Sequence, residues 1–488
     1  MQVARFLFAI ILLVFTSAFL GTAQECGIIY VSPNGASSGT TGTRANPADL
    51  TQAISLANIT NNVLWLAAGI YTITDVLSIP NNITIEGGFD PTTWVKSNSA
   101  PSIIDRTSAN AIPTPANALV GLAGLNATGF RLQDLTINVA AAPSAGISVY
   151  GIYLAACSNY SIVRCEVNTG QAGQGLSGSN GIAGALGPNG TSGNVGMTGP
   201  QPPGGNGGGN GGNGAPGGRH DPPQPSGSAG LPNGCGGLGG NTPDGPGCSA
   251  GCFFSDPSCG GGPGGNGTAG GTGNTGNTGG AGPQGTYISG YFALGGTAGN
   301  GTNGTDGCGG GGGGGGAGRQ RDGADDFGGS GGGGGGGGTG GSGGTGGTGG
   351  GGSFAVFLWN NGANGTVVDC ALNAGPGGAG GAGGNGGAGG NGGTGGAGGG
   401  GGPCGANLGG NGGAGGAGGN GGAGGPGATG PSLALAEEGG GVPVTFSGIS
   451  AVPGNPPVIN VNNYGCTNSD ISFSATGGNG TWNFGAGA

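Results

Sequence analysis

Leu132-Gln133-Asp134-Leu135-Thr136-Ile137-Asn138 is matched by Ile162-Val163-Arg164-Cys165-Glu166-Val167-Asn168 and again by Val367-Val368-Asp369-Cys370-Ala371-Leu372-Asn373. In all three the apolar positions and the closing Asn coincide, which makes them copies of one structural unit. A unit this short cannot bury an apolar face alone. Stacked as successive coils of a parallel β-helix, the copies place like residues in ladders about 4.8 Å apart. On that reading Leu135, Cys165 and Cys370 point inward. Asn138, Asn168 and Asn373 stack at the turn after the strand and satisfy turn backbone groups. Asp134, Arg164 and Asp369 fall at one coil position and form a salt-bridge ladder of alternating charge.

Working outward, the second and third copies become spatial neighbours if residues 170–352 leave the coil and return at 353–373, with Ser353 to Trp359 matching Ser148 to Leu154. A second insert, 374–430, leaves from the equivalent turn. Upstream, 24–169 reads as the scaffold with an N-terminal cap. There Asn46-Pro47 predicts a helix start, with Leu50, Ile54 and Ala57 on one face, and short apolar strands broken by Gly, Pro and Asn follow. Downstream, 431–441 reads as a linker. Val444 to Phe446, Pro457 to Val461, Ile471 to Ser474 and Thr481 to Phe484 read as alternating strands of a partial β-sandwich over 442–488. That tail is shorter than such a sandwich needs, so the chain is expected to be part of a longer one. The fold class is all-β.

Both inserts are rich in the 143 glycines of the 488-residue chain. Between Gly175 and Gly199, and between Gly267 and Gly285, every third residue is Gly, while Pro376 to Pro403 and Asn411 to Pro426 read Gly-Gly-X. Collagen requires far more Pro than these tracts carry, and a flexible linker needs no period. A three-residue period suits extended polyglycine-II-like helices, whose bare faces allow close backbone approach. At about 3.1 Å per residue, the step from Pro376 to Pro403 would reach on the order of 80 Å. The interruption at Cys404 to Leu408 would then turn the chain back as a hairpin.

Composition limits the functions available. Only 6% of residues are charged, the net charge is −10, and Lys96 is the sole lysine, so no basic patch exists for nucleic acid. Residues 1–23 read as a signal peptide: Arg5, the apolar run from Phe6 to Phe19, and Gly21-Thr22-Ala23. The apolar run is too short to span a bilayer, and no transmembrane anchor is expected. The protein is therefore read as secreted or held at the cell surface. In that setting Cys235, Cys248, Cys252, Cys259, Cys308 and Cys404 form a disulfide pool in preference to a zinc site, which would show a tight C-x2-C pair.

Tyr30 to Gly35, the capped helix and Ala68-Gly69-Ile70-Tyr71 resemble the N-terminal block of right-handed parallel β-helix proteins of the pectate-lyase-like superfamily, and the Asn-ended repeat resembles their coil consensus. Ile471 to Gly478 with Trp482-Asn483-Phe484-Gly485 is similar to PKD-like domains. Such domains beside β-helices and Gly-rich arrays resemble the surface adhesins of Bacteroidetes. The glycine tracts resemble the polyglycine II bundles of springtail antifreeze proteins and of some phage adhesins.

Enzymes of the β-helix type set acids and bases on adjacent coils. The available groups are Asp105, Arg106, Arg131, Asp134, Arg164, Glu166 and Asp369, and the ladder reading uses three of them structurally. His220 stands alone and reads as a loop residue. Asp322, Asp325 and Asp326 offer oxygen ligands to calcium, but their spacing matches neither an EF-hand nor an aspartate repeat, and no cofactor is expected. The sequence thus points to a non-catalytic structural or adhesive protein whose partners are surface glycans or other cell-surface proteins. A polysaccharide lyase or hydrolase and an ice-binding protein are the alternatives. For ice binding, Thr339, Ser342, Thr345 and Thr348 supply a short hydroxyl row.

Overall fold

The computed structural model describes residues 27–452 except 112–116, 220–224, 233–235, 242–261, 289, 322–323 and 440–443, together with Asn460–Val461 and Ile471–Phe473. The expected leader, His220, Cys235, Cys248, Cys252, Cys259, Asp322 and Thr481 to Phe484 lie outside the described residues.

Three sheets of seven, six and seven strands are built entirely from parallel neighbours, and each complete coil gives one strand to each sheet. Ala118–Leu125, Arg131–Gln133 and Leu135–Val139 make one coil, and Ser148–Ala155, Ser161–Val163 and Glu166–Thr169 make the next. The chain is an all-β parallel β-helix. Its interior is a stack of aliphatic and thiol side chains: Leu132, Leu135, Ile137, Ile162, Cys165, Val167, Val367, Cys370 and Leu372 are all 1% exposed or less. These residues have a strand period of two, so alternate side chains enter the core from a backbone that already satisfies itself along the stack.

One residue turns the chain from the second strand of a coil to the third. Asp134 (φ 52°), Arg164 (φ 48°), Asp369 (φ 53°) and Gly448 (φ 60°) all take the left-handed conformation there. Asp tolerates that region better than most L residues, whereas Arg164 carries a real steric cost at the same corner. The amide of each corner residue donates to the next coil: Asp134 to Val163 O, Arg164 to Val368 O and Asp369 to Ser447 O.

The third coil is Ser353–Trp359, Thr366–Val368 and Ala371–Asn373. Ser353 pairs with Val149, one residue away from the expected partner Ser148, whereas Thr366 pairs with Ser161 and Asn373 with Asn168. The turn from Asn360 to Gly365 is one residue longer than that from Ala156 to Tyr160, and it absorbs the difference.

Three other expectations need correction. The segment expected to be a linker contains Ser432–Glu438, a strand parallel to Ser353–Trp359. The described parts of the expected sandwich strands are further coil: Thr445–Ser447 and Ile449–Val452 pair in parallel with the third coil, and Asn460–Val461 and Ile471–Phe473 continue the same sheets. The alternation seen in the tail belongs equally to a half-buried parallel strand, so it did not discriminate. The cap helix is Leu50–Leu56 with Asp49 as N-cap, whose carboxylate accepts from Gln52 N at 2.7 Å. Asn46 and Pro47 sit before it because Ala48 is held in bridges to Val31 and Ala36. Outside the coils, Thr286–Ile288 and Tyr291–Ala293 form a hairpin that lies on the outer face of the long-strand sheet. There Phe292 N donates to the Tyr150 hydroxyl at 3.1 Å, and the Tyr153 hydroxyl donates to Gly290 O at 2.9 Å.

Arg106 is 1% exposed, yet its guanidinium is fully engaged: Nε donates to Val120 O, Nη1 to Thr107 O and Ala109 O, and Nη2 to Asn110 O. Arg106 therefore gathers the loop that leads into the next coil. Arg106→Met keeps the stem and strands four carbonyls, so it should cost on the order of 2–4 kcal/mol. Thermal unfolding followed by circular dichroism would show this as a clear fall in Tm, and an unchanged Tm would refute the clamp.

Candidate functional site

The glycine tracts start where the coils stop. Residues 170 and 374 leave neighbouring strands of one sheet, and the chain returns at Ser353 and Ser432, which are themselves paired. At the base, Gly351 N donates to Gly173 O, Gly378 N to Gly351 O and Gly430 N to Gly378 O, so the coil stacking passes directly into the tracts.

Beyond that point the backbone bonds recur every third residue. Gly175, Gly178, Gly181, Gly184, Gly187, Gly190, Gly193 and Gly196 donate in turn to the carbonyls from Ala379 to Gly400, with both strands running the same way. Gly412 to Gly430 donate at the same interval to Gly396 down to Gly378, running opposite. Residues 264–282 add to the far side of 411–426, and 301–316 and 328–350 lie behind this row, bonded to it and to each other. Along 378–399 every third residue, always Gly, is buried, and the residue after it, Ala, Asn or Thr, is exposed. In the two segments behind the row, 307–318 and 326–336 are buried at every residue, and these are the runs with the fewest side chains.

Side chains finish what the backbone leaves over. The hydroxyls of Thr348, Thr345, Ser342 and Thr339 accept from the amides of Leu176, Ser179, Ile182 and Ala185 at 2.6–2.7 Å. Asn300, Asn303 and Asp306 accept from Gly346, Gly343 and Gly340 at 2.8–2.9 Å. The hydroxyl row expected to face ice is thus a brace between two tracts. The exposed side of the outer row instead carries Thr272, Thr275 and Thr278 on one tract and Ala382, Asn385 and Ala388 on another, with 411–426 between them, and its segments hold no charged residue.

At the far end of the tracts, Arg319–Arg321 and Ala324–Asp326 form an antiparallel hairpin with Arg319 opposite Asp326. Asp326 is buried, and its carboxylate takes the Thr198 hydroxyl. Among the described residues no group of three or more His, Cys, Asp or Glu is placed to hold a metal ion. Cys308 and Cys404 are disulfide-bonded, whereas Cys157, Cys165 and Cys370 carry free buried thiols. Among the described residues, no helix is long and apolar enough to cross a membrane.

On the scaffold, the Asn ladder runs within the strands and not in the following turn. Asn168 Nδ2 donates to Asn138 Oδ1 at 2.9 Å and Asn373 Nδ2 to Asn168 Oδ1 at 2.7 Å, so the amides satisfy each other. At the left-handed corner, Arg164 makes a two-pronged pair with Asp134, at 2.7 and 2.9 Å. Lys96, which sequence reasoning had left unplaced, bridges Asp134 to Glu86. Asp369 flanks Arg164 from the next coil and adds to the pull that keeps the guanidinium charged, which comes mainly from its hydrogen bond to Asp134. Partial burial favours the protonated form of Asp134, but hydrogen bonds from Arg164, Lys96 and Gln133 outweigh it and hold the carboxyl well below the usual range. A groove of about 250 Å³ runs beside this cluster, lined by Asn98, Pro101, Asp134, Arg164 and Glu166 among others. Arg131 Nε is occupied by Gln133 Oε1 at 2.6 Å, and Asp105 pairs in register with Asn138.

No family model matches the chain, and no curated protein matches it. Among solved structures, pectate lyase Pel9A is similar over 32% of this chain and 41% of its own, at 14% identity and a TM-score of 0.21. The pectin methylesterase of Aspergillus niger is similar over 31% of this chain and 55% of its own (15% identity, TM-score 0.19), and PemA from Erwinia chrysanthemi over 32% and 54% (13%, 0.17). The matched region thus spans between two fifths and just over half of each enzyme, and the fold assignment here rests on the parallel ladders themselves.

Three substitutions test these assignments. A Cβ on Gly387 would lie 2.0 Å from Ile182 O, so Gly387→Ala must push two tracts apart. Overpacking of that kind costs about 1–3 kcal/mol or more, while Ala388→Ser at the neighbouring exposed position should be neutral. Limited proteolysis of both variants would distinguish them. For the corner, Asp134→Asn should cost on the order of 1–2 kcal/mol at pH 7. Because the folded pKa of Asp134 is depressed, its stabilisation is present above its unfolded pKa of about 4 and fades as the pH falls below that. The Tm gap between wild type and variant should therefore narrow progressively as the pH falls below about 4, while the folded carboxyl still holds its charge in moderate acid; a gap as wide at pH 2 as at pH 7 would contradict the ion-pair account.

Proposed function

We propose that this chain is a secreted or cell-surface structural and adhesive protein, in which a parallel β-helix holds out a polyglycine-II-like bundle built from the two inserts. The observation that carries this reading is the three-residue backbone lattice, which creates a broad uncharged outer row anchored to two neighbouring coils. Small Ala, Asn and Thr side chains at a fixed interval suit contact with extended, repetitive partners such as surface glycans or other cell-surface proteins. The charged groups of the scaffold support the same reading. Asp134, Arg164, Lys96 and Glu86 neutralise one another, and Arg106 is held by carbonyls, so these candidate acids and bases are engaged in holding coils together.

A second reading, contact with ice, is favoured by one observation, the exposed Thr272, Thr275 and Thr278 in that outer row. The test compares the full chain with a chain in which 170–352 and 374–430 are each replaced by a short turn. Intact cells producing each protein should bind antibody to the scaffold equally, while adhesion to glycan-coated and cell-derived surfaces should fall at least about tenfold without the inserts, a loss of about 1.4 kcal/mol. Equal adhesion by both would remove the adhesive reading. Thermal hysteresis given by the full chain alone would shift the assignment to ice.

A further inference from the structure

Cys165 and Cys370 occupy the same inward position on successive coils, each directly after a left-handed corner residue, and each is 1% exposed. The Cys165 amide donates to Cys370 Sγ at 3.4 Å, so the sulfur of Cys370 lies against the backbone that carries Cys165. The flanking pairs, Val163 with Val368 and Glu166 with Ala371, are in register. Parallel neighbours in register stand about 4.8 Å apart, inside the roughly 4.4–6.8 Å between Cα atoms that a disulfide accepts. The equivalent positions above and below are Leu135 and Ile449, both buried, so within the ladder each sulfur has the other as its only partner capable of bonding to it.

We propose that Cys165 and Cys370 are a cross-coil disulfide site, a covalent rivet at the base of the segment 170–352. The two thiols lose two protons and two electrons and form one S–S bond, while an external disulfide, such as oxidised glutathione or an oxidoreductase disulfide, is reduced to two thiols through a mixed intermediate. Cys370 is shut in by the coil that begins at Ser432, so the exchange takes place before that coil closes. The rivet joins residues separated by 205 positions, and a link across so long a loop restricts the unfolded chain strongly. It also ties the start of Glu166–Thr169, the strand from which the first glycine insert departs, to the start of Ala371–Asn373, the strand from which the second departs. That exported proteins meet such an oxidant rests on the secreted reading above, and the experiment separates the two.

The reduced wild-type chain is unfolded in urea, refolded in a glutathione redox buffer, alkylated before and after denaturation, and mapped by peptide mass spectrometry without reductant. The expected result is a linked peptide pair containing Cys165 and Cys370, with Cys157 alkylated only after unfolding, as an internal control. Reductant should then lower the Tm of the linked protein, and Cys370→Ser should abolish the part of that shift due to the rivet. Full alkylation of both cysteines after denaturation would overturn the proposal, and so would a link from either one to another cysteine. The mapping needs no variant, so it stands even if Cys370→Ser fails to fold. A link that forms in the redox buffer but is missing from protein taken from producing cells would count against export and leave the pairing intact.

Discussion

Everything outside the scaffold depends on one contact: a backbone N–H reaching a neighbouring carbonyl at 2.7–2.9 Å with no side chain between the two chains. A single methyl group defeats it, because a Cβ placed at the donor glycines falls near 2 Å from a carbonyl oxygen. Glycine is the residue that loses most freedom on ordering, so such a lattice is unfavourable until many bonds form together. Cooperative closure of several tracts at once, starting from ends already fixed, is what makes it attainable.

The β-helix fixes those ends. Coils one strand apart deliver the tracts at the spacing the lattice requires, and the bonds from Gly173 through Gly351 and Gly378 to Gly430 carry the coil register into the bundle. The scaffold in turn depends on its corners. A residue held at φ near 50° turns the chain sharply, and the ion pairs around Asp134 and Arg164 stack those turns. The docked hairpin around Tyr287 and Phe292 provides a second attachment, pressing the incoming and outgoing tracts against the long-strand sheet.

Ladder positions were the most legible part of the sequence. Three copies ending in Asn carry the coil phase, and the side chains at Leu135, Cys165 and Cys370 point where that phase puts them. What escaped the sequence were features defined by partners far away in the chain. Lys96 enters the Asp134 cluster from a loop with no repeat to align it. Ser432–Glu438 is a coil strand of Leu, Ala and Glu, without the β-branched residues that signal one. The row from Thr339 to Thr348 has a spacing that suits an exposed face and an internal brace equally, and only the neighbouring amides of 176–185 decide between them. The tail misled for a related reason, since alternation reports a half-buried strand and says nothing about whether its neighbour is parallel.

The two fully enclosed runs, 307–318 and 326–336, invert the usual arrangement of a protein interior. In most folds the centre holds the distinctive shapes that permit a single alignment; here the centre is nearly featureless, and sliding one run past another by a whole triplet meets almost the same surroundings. The information that forbids such slippage must sit at the margins, in the hydroxyl and amide braces, the hairpins at either end, and the cysteines at 308 and 404. Change in this chain should therefore be tolerated in units of three residues at the centre and resisted at the edges.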